Sequence, residues 1–171
     1  MQELLTEYGF AATKFHAGLS AEARRKNQND FIYDTAPVIV ATNAFGMGID
    51  KSTVRFVLHY NMPQSMENYY QEAGRAGRDG LPSQCVLLFS AQDVIINKFL
   101  LDKKDFAEMD DEEADLLRQR DLQRLQTMER YCQTTECLRN YILVYFGEHP
   151  TAPCGNCGSC NNDFDAVDMT D

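Results

Sequence analysis

Toward its C-terminal end the chain holds four cysteines at the spacing C-x16-C-x2-C-x2-C, formed by Cys137, Cys154, Cys157 and Cys160. Three of the thiols sit on the glycine-rich run Cys154-Gly155-Asn156-Cys157-Gly158-Ser159-Cys160, which can curl round a small ion, and Cys137 supplies the fourth from upstream. Four sulfurs close a tetrahedron and leave no position for water, so the spacing predicts a structural zinc site rather than a catalytic one. Metal binding would order a loop too poor in apolar residues to order itself. Two other readings use the same residues. Ordinary buried cysteines are one, although packing gives no reason for a C-x2-C-x2-C run after Pro153. An iron-sulfur cluster is the other, and a colourless protein with one equivalent of zinc would exclude it.

A length of 171 residues allows one good core, or a domain with a smaller satellite. No apolar run approaches the roughly 20 residues needed to cross a bilayer, and the N-terminus lacks the basic-then-apolar layout of a secretory signal. An intracellular protein is expected, in a reducing compartment where clustered cysteines bind metal rather than pair as disulfides. The net charge of −10 is uneven: residues 1–100 hold 9 basic and 10 acidic side chains, and the remainder 7 and 16. Autonomous nucleic-acid binders usually carry a basic excess, so strong DNA binding by this chain alone is not expected.

Short β-branched runs at Val38-Ile39-Val40, at residues 54–58 and at residues 85–89 alternate with helical stretches, as does a short strand over residues 11–16. That alternation predicts an α/β fold with a parallel sheet and helices on its faces. Ser20 is placed to cap one helix, and Ser65 lies at the start of another. Beyond Gln92 no strand is predicted. Residues 107–132 read as one long helix opened by Asp110-Asp111-Glu112-Glu113, where acidic side chains suit the helix dipole. Ala114, Leu117, Leu125, Met128, Tyr131 and Cys132 fall on its apolar stripe, which makes Cys132 a core thiol. Thr134 or Thr135 caps a second helix that buries Leu138, Tyr141, Ile142 and Tyr145 and stops at Gly147, forming a helical hairpin with Cys137 in the first turn of its second arm.

The second constellation is Gln71-Glu72-Ala73-Gly74-Arg75-Ala76-Gly77-Arg78-Asp79-Gly80. Met66, Tyr69, Tyr70 and Ala73 mark a buried helix face, while Gln71, Arg75 and Arg78 follow at i, i+4, i+7 on the opposite one. A guanidinium is a permanently charged planar fork that matches phosphate oxygens, so this row suits the terminal phosphate of a nucleotide. Taken alone it would read as a solvated basic face with Glu72 and Asp79 as partners. It is accompanied by residues 41–50, Ala-Thr-Asn-Ala-Phe-Gly-Met-Gly-Ile-Asp, directly after a strand, where open parallel sheets place ligand loops. Thr42 and Asn43 can donate to phosphate, and Asp50 can accept from a ribose hydroxyl or orient an arginine. His16 also ends a strand, a position more often occupied by a satisfied loop residue than by a functional one.

These motifs, in this order, resemble the RecQ family of ATP-dependent DNA helicases of superfamily 2. Residues 41–50 resemble helicase motif V, residues 71–80 motif VI, and residues 135–160 the family's zinc-binding subdomain. The resemblance implies a partial RecA-like parallel sheet with flanking helices over residues 1–100, a helical four-cysteine zinc-binding subdomain over 101–162, and an acidic, loose tail over 163–171. It further implies that Arg75 and Arg78 contact the γ-phosphate of ATP, that Gly48, Asp50 and Gln71 border the nucleotide, and that Thr42, Asn43 and His16 meet phosphates of the DNA strand. Its cofactors would be one structural zinc, with ATP and Mg2+ acting in the full-length enzyme. Its partner would be DNA, single-stranded and at the duplex junction, unwound with 3′ to 5′ polarity in repair and recombination, in the bacterial cytoplasm.

No G-x-x-x-x-G-K-[ST] loop occurs in the sequence. The family carries that element on a first RecA-like lobe and continues into a winged-helix domain, so the chain is expected to be a second lobe with its zinc module, inactive alone toward ATP. A zinc-stabilised, non-catalytic binding module is the alternative.

Overall fold

The computed structural model describes residues 1–42, 51–104 and 110–161. It divides into two compact units, Met1–Thr53 and Val54–Asp171. Strands are interspersed with helices up to residue 87, and among the described residues only helices follow.

The first unit contains α1 (Gln2–Glu7), β1 (Ala12–Phe15), α2 (Ala21–Ile32) and β2 (Val38–Ala41). β1 and β2 pair in parallel, Ala12 opposite Val38 and Phe15 opposite Ala41. The Thr42 amide donates to the Phe15 carbonyl at 3.1 Å and carries the ladder one residue further. Ser20 caps α2 as its sequence predicts, its Oγ accepting from the Ala23 amide at 3.2 Å. Asn27 then fastens the helix to β1 by donating to the Lys14 carbonyl at 2.8 Å. The far end of α2 is closed by a residue that no local signal marks. Lys51, its side chain only 8% exposed, donates to the carbonyls of Phe31 and Ile32 at 3.0 and 3.2 Å and pairs with Asp34 at 2.8 Å. A buried ammonium with three acceptors is satisfied, and its charge suits the negative helix end.

The second unit contains β3 (Phe56–His59), α3 (Met66–Ala73), β4 (Gln84–Leu87), α4 (Ala91–Asp102), α5 (Asp111–Gln133), α6 (Leu138–Tyr145) and α7 (Gly158–Asn161). β3 and β4 pair in parallel, Phe56 opposite Gln84 and His59 opposite Leu87. The parallel pairing follows the expectation, but the described strands form two separate pairs. The core of this unit gathers Met62, Met66, Tyr69, Val94, Leu101, Leu125, Met128 and Tyr131, so α3, α4 and α5 share one interior. Met66, Leu125 and Met128 are fully buried. Two buried polar groups at this interior are paired: Asn97 donates to the Met62 carbonyl at 3.0 Å, and Asp93 both completes a capping box with Ser90 and accepts from Asn61 at 2.9 Å.

Several local expectations shift. α5 begins at Asp111 with Asp110 as its N-cap, and residues 105–109 lie outside the described part. The stripe on α5 holds, with Ala114, Leu125, Met128 and Tyr131 buried. α6 is capped not by Thr134 or Thr135 but by Cys137, whose Sγ accepts from the Asn140 amide at 3.5 Å. Thr134 instead closes the turn after α5, its Oγ accepting from the Glu136 amide at 3.2 Å. Among the described residues no helix is long and apolar enough to cross a membrane.

Candidate functional site

The four sequence-predicted cysteines converge. Their sulfurs all lie within 4.8 Å of one another. A tetrahedral zinc with bonds of about 2.3 Å places its sulfurs about 3.8 Å apart, so little movement is needed to bind it. Cys137 comes from the mouth of α6, Cys154 and Cys157 from the loop after it, and Cys160 from the single turn of α7. Gly155, with φ of +61°, supplies the left-handed bend that folds the loop back on itself.

The donor chemistry also fits. Cys137 accepts from the Cys154 amide at 3.3 Å, Cys154 from the Asn156 amide at 3.4 Å, and Cys157 from the Cys160 amide at 3.4 Å, the pattern of N–H groups that steadies bound thiolates. Burial disfavours the Cys157 thiolate, yet hydrogen bonds from the Cys160 amide and thiol outweigh it and bring Cys157 down to about 6. The same shared proton, seen from Cys160, pushes that thiol up to about 11. Cys132 stays out of the cluster: burial, followed by the carboxylates of Asp93 and Glu129, pushes its thiol up to about 12, as befits a half-buried residue packed on the core.

The arginine constellation is built differently from its helical periodicity. α3 starts as predicted, the Ser65 Oγ accepting from the Asn68 amide at 3.2 Å, but it ends at Ala73 with Gly74 as cap. Gln71 is therefore on the helix, whereas Arg75 and Arg78 lie in the turn that follows it. That turn begins with tightened bonds, Arg75 amide to Glu72 carbonyl at 3.2 Å and Ala76 amide to Ala73 carbonyl at 3.1 Å, and then docks on the segment leading into β3 through the Gly77 amide and the Val54 carbonyl at 2.9 Å. Gly77 has φ of +65°, and a Cβ there would stand 2.5 Å from Ser83 Oγ and 2.9 Å from the Leu81 carbonyl. Only glycine fits at this point of the turn. Gly77→Ala is expected to cost about 2–3 kcal/mol and to displace the turn, measurable as a lower denaturation midpoint.

The two carboxylates of this stretch hold the turn in place. Glu72 Oε2 lies 2.8 Å from Nε2 of His59, which is buried at the end of β3. Asp79 receives Arg55 Nη2 at 2.6 Å on each oxygen, and these hydrogen bonds, first among the causes, hold its carboxyl below the usual carboxylate range. Arg55 also donates to the Pro82 carbonyl at 3.2 Å. Arg75 is half-buried and Arg78 exposed, its Nε donating to the Gly74 carbonyl at 3.3 Å. The geometry is a clamped turn that presents two guanidiniums at a fixed place.

His16 and Thr42 come together at the C-terminal edge of the β1–β2 pair, where they line a hollow of about 260 Å³ with Lys14, Phe15 and Val40. That edge is where open α/β sheets receive ligands. Asn43, Gly48 and Asp50 lie outside the described residues. Sequence reasoning missed His59, Arg55, Glu67 and Tyr145, each of which acts through a contact distant in sequence.

A parallel α/β unit, a clamped arginine turn and a closed four-thiol site together define a helicase C-terminal domain joined to a zinc-binding module. The family descriptions agree: "Helicase conserved C-terminal domain" matches residues 1–80, and "RecQ zinc-binding" matches residues 91–161. The ATP-dependent DNA helicase RecQ of Bacillus subtilis is 48% identical over 159 residues, covering 93% of this chain and 26% of that protein. The RecQ helicase of Haemophilus influenzae is 42% identical over 92% of the chain and 24% of its own length, and the helicase Q5 of Mus musculus 40% over 92% and 16%. The chain belongs to the RecQ helicase family. It spans about a quarter of the length of the bacterial relatives it matches. With the family's zinc-binding region and this donor set, the four cysteines hold one structural zinc.

Proposed function

We propose that the protein carrying this chain is an ATP-dependent DNA helicase that unwinds duplex DNA with 3′ to 5′ polarity in repair and recombination. Residues 1–100 serve as its second RecA-like lobe, residues 101–162 as its zinc-binding subdomain, and residues 163–171 as an acidic tail. The observation that carries this reading is the pairing, in one chain of this family, of a clamped Arg75–Arg78 turn with a closed four-thiol site.

Arg75 and Arg78 meet the γ-phosphate of an ATP whose phosphates and Mg2+ are held by another lobe. Their charge is worth most when phosphoryl transfer spreads negative charge over the phosphate oxygens, and a preorganised turn spends nothing on reorganisation at that moment. Gln71, Gly48 and Asp50 border the nucleotide, while Thr42, Asn43 and His16 contact phosphates of the translocating strand. Closing the lobes on ATP and opening them after hydrolysis steps the strand. The first lobe and a winged-helix domain are the intramolecular partners, single strand and duplex junction are the DNA partners, and the bacterial cytoplasm is the compartment.

The test is strand separation by the full-length protein on duplexes with a 3′ or a 5′ single-stranded tail. ATP-dependent unwinding of the 3′-tailed substrate alone is expected. Binding without ATP-dependent unwinding would favour a non-catalytic zinc-stabilised binding module.

A further inference from the structure

α3 has eight residues, too few to hold its own position, so the contacts on its flanks decide where the arginine turn stands. One flank faces the sheet through the His59–Glu72 contact. The other faces the zinc module. There the Tyr145 hydroxyl, at the end of α6, donates to Glu67 Oε1 at 2.8 Å, and Arg124 Nε of α5 stands 3.5 Å from the same oxygen. Next to it the rings of Tyr70 and Phe146 meet with centroids 5.0 Å apart. Tyr70, expected on the buried face, is exposed instead, and Glu67, Tyr70 and Gln71 fall at i, i+3, i+4, so these contacts grip the face of α3 that leads to Gln71 and the turn beyond.

Stability alone does not explain the arrangement. Glu67 Oε2 is shut off from solvent with no hydrogen-bond donor, a costly state for a carboxylate oxygen. Burial works against the charged form, but the hydrogen bond from Tyr145, with Arg124 beside it, keeps the Glu67 carboxyl below its ordinary value. The group is held charged in one orientation. A rotation of α3 by about 10° would move a side-chain group lying about 6 Å from its axis by about 1 Å. Misplacement on that scale is enough to cost about 10²-fold in a phosphoryl-transfer step.

We propose that Glu67 and Tyr145 are positioning residues: they clasp the arginine-bearing helix to the zinc module and set where Arg75 and Arg78 stand. α6, opened by the zinc ligand Cys137 and closed by Tyr145, is then a strut between the metal and the nucleotide-facing turn. The inference rests on the role given above to the two arginines.

Tyr145→Phe removes one hydroxyl and keeps the ring, so the test is made with it in the zinc-loaded full-length protein. Expected is a fall in kcat for DNA-stimulated ATP hydrolysis of about tenfold, with KM for ATP within about twofold and one zinc per chain retained. Glu67→Ala should reproduce the defect, and Glu67→Gln, which still accepts from Tyr145, should recover turnover to within about threefold of the unaltered protein. Hydrogen exchange gives a readout independent of turnover: amides of residues 66–73 should exchange at least about fivefold faster in Tyr145→Phe, with α4 unchanged. Unchanged exchange in α3 overturns the clasp. If Arg78→Ala collapses hydrolysis while Tyr145→Phe leaves kcat untouched, the positioning role alone is overturned. If neither variant affects hydrolysis, the arginine reading falls and the proposal with it.

Discussion

Replacing Arg78 by Ala in the full-length protein should lower kcat for DNA-stimulated ATP hydrolysis by about 10³-fold or more, the range for an arginine acting on a transferring phosphoryl group. That loss corresponds to about 4 kcal/mol of transition-state stabilisation. Arg78 is exposed at the end of a turn fixed by the Gly77–Val54 hydrogen bond and the Arg55–Asp79 pair, so truncating it removes its charge and the hydrogen bond its Nε gives the Gly74 carbonyl while leaving those two fixings in place. Stability should therefore change little, and steady-state kinetics beside a thermal melt separate the two effects. Arg78→Lys should recover only part of the activity, because an ammonium keeps the charge but loses the planar fork. Arg75, half-buried where the turn leaves α3, should show a similar kinetic loss together with a structural one.

Removing the metal should have the second large effect. Residues 147–161 contain no fully buried side chain, and α6 has none either. Leu138, Tyr141, Ile142 and Tyr145 still pack α6 against the core, but little besides the four sulfurs holds residues 147–161. Structural zinc contributes about 10–16 kcal/mol in small metal-folded modules, so each thiolate carries about 2.5–4 kcal/mol of it. Cys157→Ser is expected to weaken zinc retention by roughly 10²–10³-fold against a competing chelator. Stripping the metal altogether should erase exchange protection over residues 147–161 and leave β1, β2 and α2 protected. Retention of one tightly held zinc by Cys157→Ser would remove that residue from the ligand set.

Much of this was legible in the residues because the signals were local. Serines at the entrances of α2 and α3, β-branched runs at β2 and β3, and the apolar stripe of α5 each state their own structure. The C-x2-C-x2-C run was legible for the same reason, since a ligand set within seven residues needs no tertiary knowledge. The failures have a common cause. Helical periodicity runs on through Arg78 on paper, but the helix ends at Ala73, the Arg75 and Ala76 amides turn to carbonyls three residues back, and Gly77, with a left-handed backbone, hands its amide to Val54, twenty-three residues back. Thr134 and Thr135 look like better caps than a cysteine, yet Cys137 takes the position because its sulfur is drawn into the metal cluster and accepts the Asn140 amide there. Lys51 closing α2, and Tyr145 reaching Glu67 across seventy-eight residues, leave no trace in local composition. Tertiary partners decided each of these.

The central claim is that the turn after α3 acts on the phosphate of ATP in the transition state. Single-turnover release of phosphate from ATP prebound to the full-length protein, at saturating DNA, measures that step without product release. The account predicts that Arg78→Ala binds ATP with affinity within about threefold of the unaltered protein and cleaves it about 10³-fold more slowly. A cleavage rate within twofold of the unaltered protein would contradict it.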